Sequence, residues 1–329
     1  MYPGSTQQKF WTFKDENDLV QLRQEANEHF IEKHKAGMSP EQSAKFFLTP
    51  AEERLLLRQY ELHLRDFCRR FHPAQPRTVY ATACHYFKRF YLKCSLMDFH
   101  PKEILATCAY LACKVEEFNI SISQFVANIR GDRDKASGII LANELLLMQK
   151  LNYHLTIHNP HRAVEGLLID IKTRSQLKDP ERLRPHIDEF IDRLFLTDAC
   201  LLYAPSQLAL AAVLHAVSKL QENLDTYVTD VLIGQSGADK LSNIIEAVRK
   251  IRTMGKSLEP LPRDTLRLLE KKLEKCRNQE NNPDSAIYKQ RMLEEAIDED
   301  DEPNYPVTSE SGADENLLTG IVKLRSPDT

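Results

Sequence analysis

The sequence predicts an all-α protein built from two five-helix units in tandem, with further helices at both ends. Three observations carry that prediction. Glycine is scarce, with 10 in 329 residues. Apolar residues recur at helical spacing over most of the chain. Two segments rich in small residues match at an offset of 104: PKEILATCAYLACKV (101–115) and PSQLALAAVLHAVSK (205–219). Both open with proline, which suits a first helical turn. Small residues on every side of a helix mean that other helices surround it. Each of these segments is therefore read as the centre of a five-helix unit.

The elements follow in chain order. An N-terminal segment (1–48) holds a helix over 15–36, opened by Asp15 and Glu16, with Leu19, Leu22, Ala26, Phe30 and Ile31 at helical spacing. Trp11 and Phe13 stand just before it, where an N-terminal staple would sit. The first unit (49–158) holds helices near 51–71, 77–93, 102–116, 122–129 and 136–151. The second (159–257) repeats the pattern near 161–173, 181–202, 206–219, 223–233 and 237–254. A C-terminal helix (264–280, within 258–282) carries Leu266, Leu268, Leu269 and Leu273. Residues 283–329, which include IDEDDEPNYPVTSESGADEN, read as an acidic, disordered tail.

Composition narrows the function. The chain is 42% hydrophobic, enough for sizeable cores. It has no apolar run of membrane-spanning length and no secretory h-region at its start. Cys68, Cys84, Cys94, Cys108, Cys113, Cys200 and Cys276 make an odd count with no CxxC pair, and most lie in apolar runs. Reduced, buried thiols of an intracellular protein are expected, without a metal site. Residues 294–329 hold 11 acidic and 2 basic side chains, which leaves residues 1–293 with a net charge of +5. That surplus is spread along the chain and lacks the basic stripe of a nucleic-acid-binding face.

Motifs for chemistry are missing. GQSGADK (234–240) lacks the GK[ST] ending of a phosphate loop and has no strand before it, so it reads as a turn. His154, His158 and His161 cluster in HLTIHNPH, but Asn159-Pro160 breaks any helix between the last two, and a connector between the units is the reading. No catalytic residues and no cofactor are assigned. Ser39-Pro40 and Ser326-Pro327 match the proline-directed phosphorylation pattern.

One constellation remains. On the central helix of the first unit, Ile104, Cys108, Leu111 and Val115 form a stripe, and Lys114 borders it roughly 80° away. On the fifth helix, Ile140, Leu147 and Leu151 form a stripe with Glu144 inside it, and Leu141, Leu145 and Met148 form a second apolar face. A carboxylate in an apolar surface needs a cation or hydrogen-bond donors, and Lys114 is the natural partner. Two readings stay open at this level. The pair is a private salt bridge, or it borders a groove that takes a partner's helix, with Leu111, Val115, Met148, Tyr153 and Leu155 supplying burial.

The segments FWTF (10–13), TACHYFKRFYL (82–92), LACKVEEFN (111–119) and ELLLMQKLNYHLTIHNPHRAVEGLLIDIKTR (144–174) resemble the cyclins, in their C/H-like branch, over roughly residues 10–280. The resemblance implies two tandem cyclin boxes with extra N- and C-terminal helices. It implies a non-catalytic regulatory subunit that binds and activates cyclin-dependent kinase seven. A RING-finger assembly factor would be the third subunit of the kinase-activating kinase, which is also the kinase module of TFIIH beside the TFIIH core. Transcription by RNA polymerase II, cell-cycle control, DNA repair and a nuclear location follow from the same likeness. It places Lys114 and Glu144 at the positions that hold the kinase's regulatory helix, with Glu117 and the apolar residues above alongside.

Two departures stand out. Cell-cycle cyclins carry an aspartate where HYFKRF has Lys88, so their internal arginine–aspartate bridge is expected to be absent. Their substrate-docking patch matches LRQYELHL (57–64), where Glu61 and His63 interrupt it. The competing functions are a DNA-binding cyclin-box factor of the general factor IIB type and a helical adaptor that activates nothing.

Overall fold

The structure is a computed structural model that describes residues 2–234, 238–256 and 262–300. Helices account for all its regular elements, and no strand occurs among the described residues. Residues Met1–Pro283 form one compact unit and Asp284–Thr329 a second.

The first unit opens with a short 3₁₀ turn and three helices: α1 (Thr6–Phe10), α2 (Glu16–His34) and α3 (Pro40–Phe46). The first box follows as α4 (Pro50–Arg69), α5 (Arg77–Phe90), α6 (Pro101–Val115), α7 (Ile122–Val126) and α8 (Arg133–Lys150). The second box is α9 (His161–Arg174), α10 (Arg184–Leu194), α11 (Ala199–Leu202), α12 (Pro205–Lys219), a π-helical turn (Tyr227–Ile233) and α13 (Ala238–Lys256). Helix α14 (Arg263–Cys276) ends the unit.

The two alanine-rich helices are the centres of their boxes. Helix α6 packs against α4, α5 and α8, and α12 packs against α9, α10 and α13. Cys108, Ala109, Ala112 and Cys113 of α6 are fully buried, as are Ala209, Ala211, Ala212 and Ala216 of α12. All seven cysteines are buried and free. The repeat extends into the helix ends. After α6, Glu117 is left-handed (φ 56°) and Phe118 N–H donates to Cys113 C=O at 2.9 Å. After α12, Gln221 is left-handed (φ 56°) and Glu222 N–H donates to Val217 C=O at 3.0 Å. These are the same Schellman closure at the same offset.

Four expectations change. The helix expected over 181–202 is broken. Thr197 donates its hydroxyl to Leu194 C=O (2.7 Å) and accepts from Ala199 N–H (3.2 Å), so a side chain replaces the helical ladder there. Helix α3 is an added element. Ser39 caps it through a capping box with Gln42, so this phosphorylation candidate is already the acceptor for a helix start. Trp11 does not staple α2. It is buried beside His154 and donates its indole N–H to His154 Nδ1 at 3.0 Å, with Arg89 and Lys93 over its ring at 4.9 and 4.8 Å. The tail is not disordered from 283 onward. Helix α15 (Ala286–Asp300) occupies its start, because AIYKQRMLEE consists mainly of good helix formers and Ser285 Oγ accepts from Tyr288 N–H at 3.0 Å. Ser326, the rest of the tail and residues 235–237 of GQSGADK lie outside the described residues.

Lys88 finds a different partner from the aspartate bridge of cell-cycle cyclins. Its ammonium, fully buried, lies 2.6 Å from Glu61 Oε1, and Glu61 is also buried. Glu61 therefore faces inward and does not interrupt a surface patch; His63 does remain exposed. Arg54 reaches Glu61 at 3.3 Å and Asp198 at 3.1 Å. Arg23 holds Asp198 bidentately at 2.8 and 2.9 Å. This junction ties α2, α4 and α5 to the α10–α11 corner of the second box. Burial works to raise the Asp198 carboxyl, but Arg54, Lys88 and Arg23 outweigh it and hold the group well below the usual carboxylate range.

Lys88→Met should cost about 3–5 kcal/mol in chemical denaturation, because Glu61 loses its closest cation in the core. Lys88→Met combined with Glu61→Leu should recover most of that loss; a double variant no better than the single would refute the pairing. The second expectation concerns pH. Burial, Arg89 and Lys93 lower the His154 pKa, and the neutral ring is the form that accepts from Trp11. This contribution is present above about pH 6.5, the unfolded value, and is lost as pH falls through the lowered folded value. Trp11 is the chain's single tryptophan. Its fluorescence should therefore titrate with a midpoint below about 6.5, and His154→Gln should flatten that step. An unchanged step in the variant would contradict it.

Candidate functional site

The surface around Lys114 and Glu144 is built by two helix ends. Helix α6 starts at His100, whose ring accepts from Lys102 N–H, and Pro101 occupies the first turn. It buries its small face and ends in the closure described above, with Glu117 exposed in the left-handed position that glycine usually fills. Helix α8 starts at Asp132, which caps Asp134 and Lys135, and packs along α6. It ends the same way: Tyr153 N–H donates to Met148 C=O at 2.9 Å, and Asn152 and Tyr153 are left-handed at φ 54° and 56°. These turns leave Lys114, near the exit of α6, beside the middle of α8.

Lys114 and Glu144 meet there. Lys114 Nζ donates to Glu144 Oε1 and Oε2 at 2.7 and 2.8 Å. The ammonium also lies over the Tyr110 ring at 4.7 Å. The Lys114 side chain is 46% exposed and that of Glu144 14%, so the pair sits at the surface. One lysine donor and further carboxylate lone pairs stay open to a second molecule. Glu116, two residues on from Lys114, accepts from the Thr82 hydroxyl at 2.6 Å and so joins the end of α6 to α5.

The apolar candidates divide. Tyr153 is 59% exposed, and Val115, Met148 and Leu155 are half-buried. Leu111 is a core residue, because its face of α6 points into the box. Leu141 and Leu145 are 48% and 54% exposed and belong to this surface. Sequence reasoning had placed both on a second apolar face of the helix without adding them to the site. The signal was an apolar surface too wide for one core contact. Phe10, also exposed, stacks at 5.0 Å on His154, the residue that follows Tyr153. Among the described residues no group of His, Cys, Asp and Glu could hold a metal ion. A pair of polar anchors flanked by exposed leucines and a tyrosine can take up an amphipathic helix.

Comparisons with known proteins agree with this architecture. The model of the cyclin N-terminal domain matches residues 21–156, and that of the cyclin C-terminal domain matches residues 159–256. Cyclin-H of Xenopus laevis is 43% identical over 284 residues, covering 85% of this chain and 88% of the relative. Cyclin-H1-1 of Arabidopsis thaliana is 32% identical, covering 73% and 71%. Among solved structures, a chain of the CAK complex of Chaetomium thermophilum bound to ATP-gamma-S superposes with a TM-score of 0.73 at 26% identity, covering 94% of this chain and 98% of that one. Two tandem helical boxes around small-residue central helices, and 43% identity to a cyclin-H over 85% of the chain, lead to one conclusion: this chain belongs to the cyclin family, in its cyclin H group.

Proposed function

We propose that this cyclin binds and activates cyclin-dependent kinase seven through the surface between α6 and α8. The observation that carries the proposal is the exposed Lys114–Glu144 pair set among Leu141, Leu145 and Tyr153, which the fold itself leaves uncovered. Lys114 and Glu144 would hydrogen-bond the backbone at one end of the kinase's regulatory helix. Leu141, Leu145, Met148, Tyr153, Val115 and Leu155 would bury its apolar face. Holding that helix inward places its glutamate on the lysine that positions ATP. Binding energy thereby shifts the kinase population toward its active form, and the chemistry stays on the kinase.

The cyclin-H relatives and the neighbour in a CAK complex support a role as the regulatory subunit of the kinase-activating kinase. The further partners on this reading are a RING-finger assembly factor and the TFIIH core, with the nucleus as the place of work. DNA binding is the less favoured reading, because several arginines that could meet phosphates are paired within the chain. Arg23, Arg54, Arg69, Arg77, Arg184 and Arg277 all pair with carboxylates.

Glu117 has a place in the same reading. A side chain in a left-handed helix closure costs about 1 kcal/mol relative to glycine, and Glu117 is exposed just past the end of α6. Glu117→Gly should therefore leave the fold as stable or stabler while weakening the complex with the kinase. Equal kinase affinity in that variant would remove Glu117 from the site. The main test is an activity assay on purified kinase seven with wild type and Glu144→Ala. Wild type should activate strongly, and the variant should lose about 2–5 kcal/mol of binding and most of the activation. Unimpaired activation by a Lys114→Ala/Glu144→Ala double variant would refute the assignment of the pair.

A further inference from the structure

A second surface, built from other elements, carries its own combination of apolar and basic groups. Helices α3 and α14 flank a groove of about 730 Å³. Its floor is Met38, Phe46 and Leu268, all exposed, with Leu268 at 67%. Its rim is Lys45, Lys271, Lys272 and Lys275, and no carboxylate lines it. Of these rim lysines only Lys272 has an ionic partner among the described residues, Glu52 at 2.7 Å.

The sequence of α14 explains how the groove arises. Leu269, Leu273 and Cys276 lie on the face turned into the core. Leu268, Lys271, Lys272 and Lys275 recur at i, i+3, i+4 and i+7 on another face, so that face is a stripe of its own. Phe46 stands beside the buried Phe47 at 5.0 Å, edge to face, which fixes its ring without covering it. An apolar floor flanked by the ammonium groups of Lys45, Lys271 and Lys275, with no carboxylate in the lining, is complementary to one kind of ligand.

We infer that this groove docks an acidic amphipathic helix from a partner protein, with its apolar side chains on Met38, Phe46 and Leu268 and its carboxylates on Lys45, Lys271 and Lys275. Three exposed apolar side chains at the centre favour a peptide over a nucleic acid, whose backbone would engage the lysines and leave the floor wet. The site shares no residue with the α6–α8 surface, so a partner held here and a kinase held there can be bound together.

The test uses the full-length chain and a fluorescent peptide of about 18 residues made of Leu and Glu, with the leucines at helical i, i+3 and i+4 spacing. Fluorescence anisotropy should show saturable binding. A peptide of the same composition with its leucines scattered round the helix should bind at least about tenfold more weakly. Leu268→Glu and the pair Lys271→Glu/Lys275→Glu should each weaken binding by a similar factor, and Glu144→Ala should bind as wild type does. These substitutions are at exposed positions, and unchanged circular dichroism confirms that the variants fold. Equal binding of both peptides would reduce the site to charge alone and overturn the inference. So would unchanged binding by the variants, or no binding at all. A dimer of the chain that Leu268→Glu converts to monomer would assign the groove to a second copy instead, and binding seen only after removal of residues 301–329 would assign it to this chain's own acidic end.

Discussion

Small side chains along α6 set how closely its neighbours approach, and the rest of the first box depends on that spacing. With Cys108, Ala109, Ala112 and Cys113 fully buried, α4, α5 and α8 can all pack against one helix. Larger residues there would push α8 away. The same closeness brings α8 near enough for Glu144 to reach Lys114. The stretch LACKVEEF thus reads as a helix that leaves its core. Leu111, Ala112 and Cys113 still belong to the interior, while Lys114 and Glu117 have come out to the surface and Glu116 ties back to Thr82.

Much of this was legible beforehand, and the reasons are local. The 104-residue repeat marked both central helices, and proline at each start fixed their entry. Glu144 within an apolar stripe pointed to Lys114 because a carboxylate so placed needs a cation. Other features depend on contacts that periodicity does not encode. The Leu141–Leu145 face was visible as a second apolar face, but a leucine pattern does not say which side meets another helix. The α10–α11 break rests on one threonine hydroxyl competing with the backbone. Glu61 seemed a surface charge until Lys88 supplied a buried partner for it. Trp11 was read as a staple on the helix that follows it, whereas its acceptor, His154, lies 143 residues along the chain.

The buried junction of Arg23, Arg54, Glu61, Lys88 and Asp198 has a different role from the exposed pair. It draws one residue or more from α2, α4, α5 and the second box, and removing any one leaves a charge in the interior. Such junctions add little net stability over a well-packed apolar core, but they penalise every arrangement that separates the charges. In this cyclin that means a fixed setting of the two boxes and the N-terminal helix. The Lys114–Glu144 pair is paired, solvent-facing and cheap to break, which is how an ion pair held ready for a partner should be built.

That contrast makes the central claim measurable without the kinase. The unfolding free energy of the free chain carrying Glu144→Ala, compared with wild type, reports what the pair does for the fold. An exposed pair serving a partner predicts a loss within about 1 kcal/mol. A loss of about 3–5 kcal/mol, the size expected for a broken buried pair, would make Lys114 and Glu144 a structural element of the box and contradict the reading of that surface as a docking site.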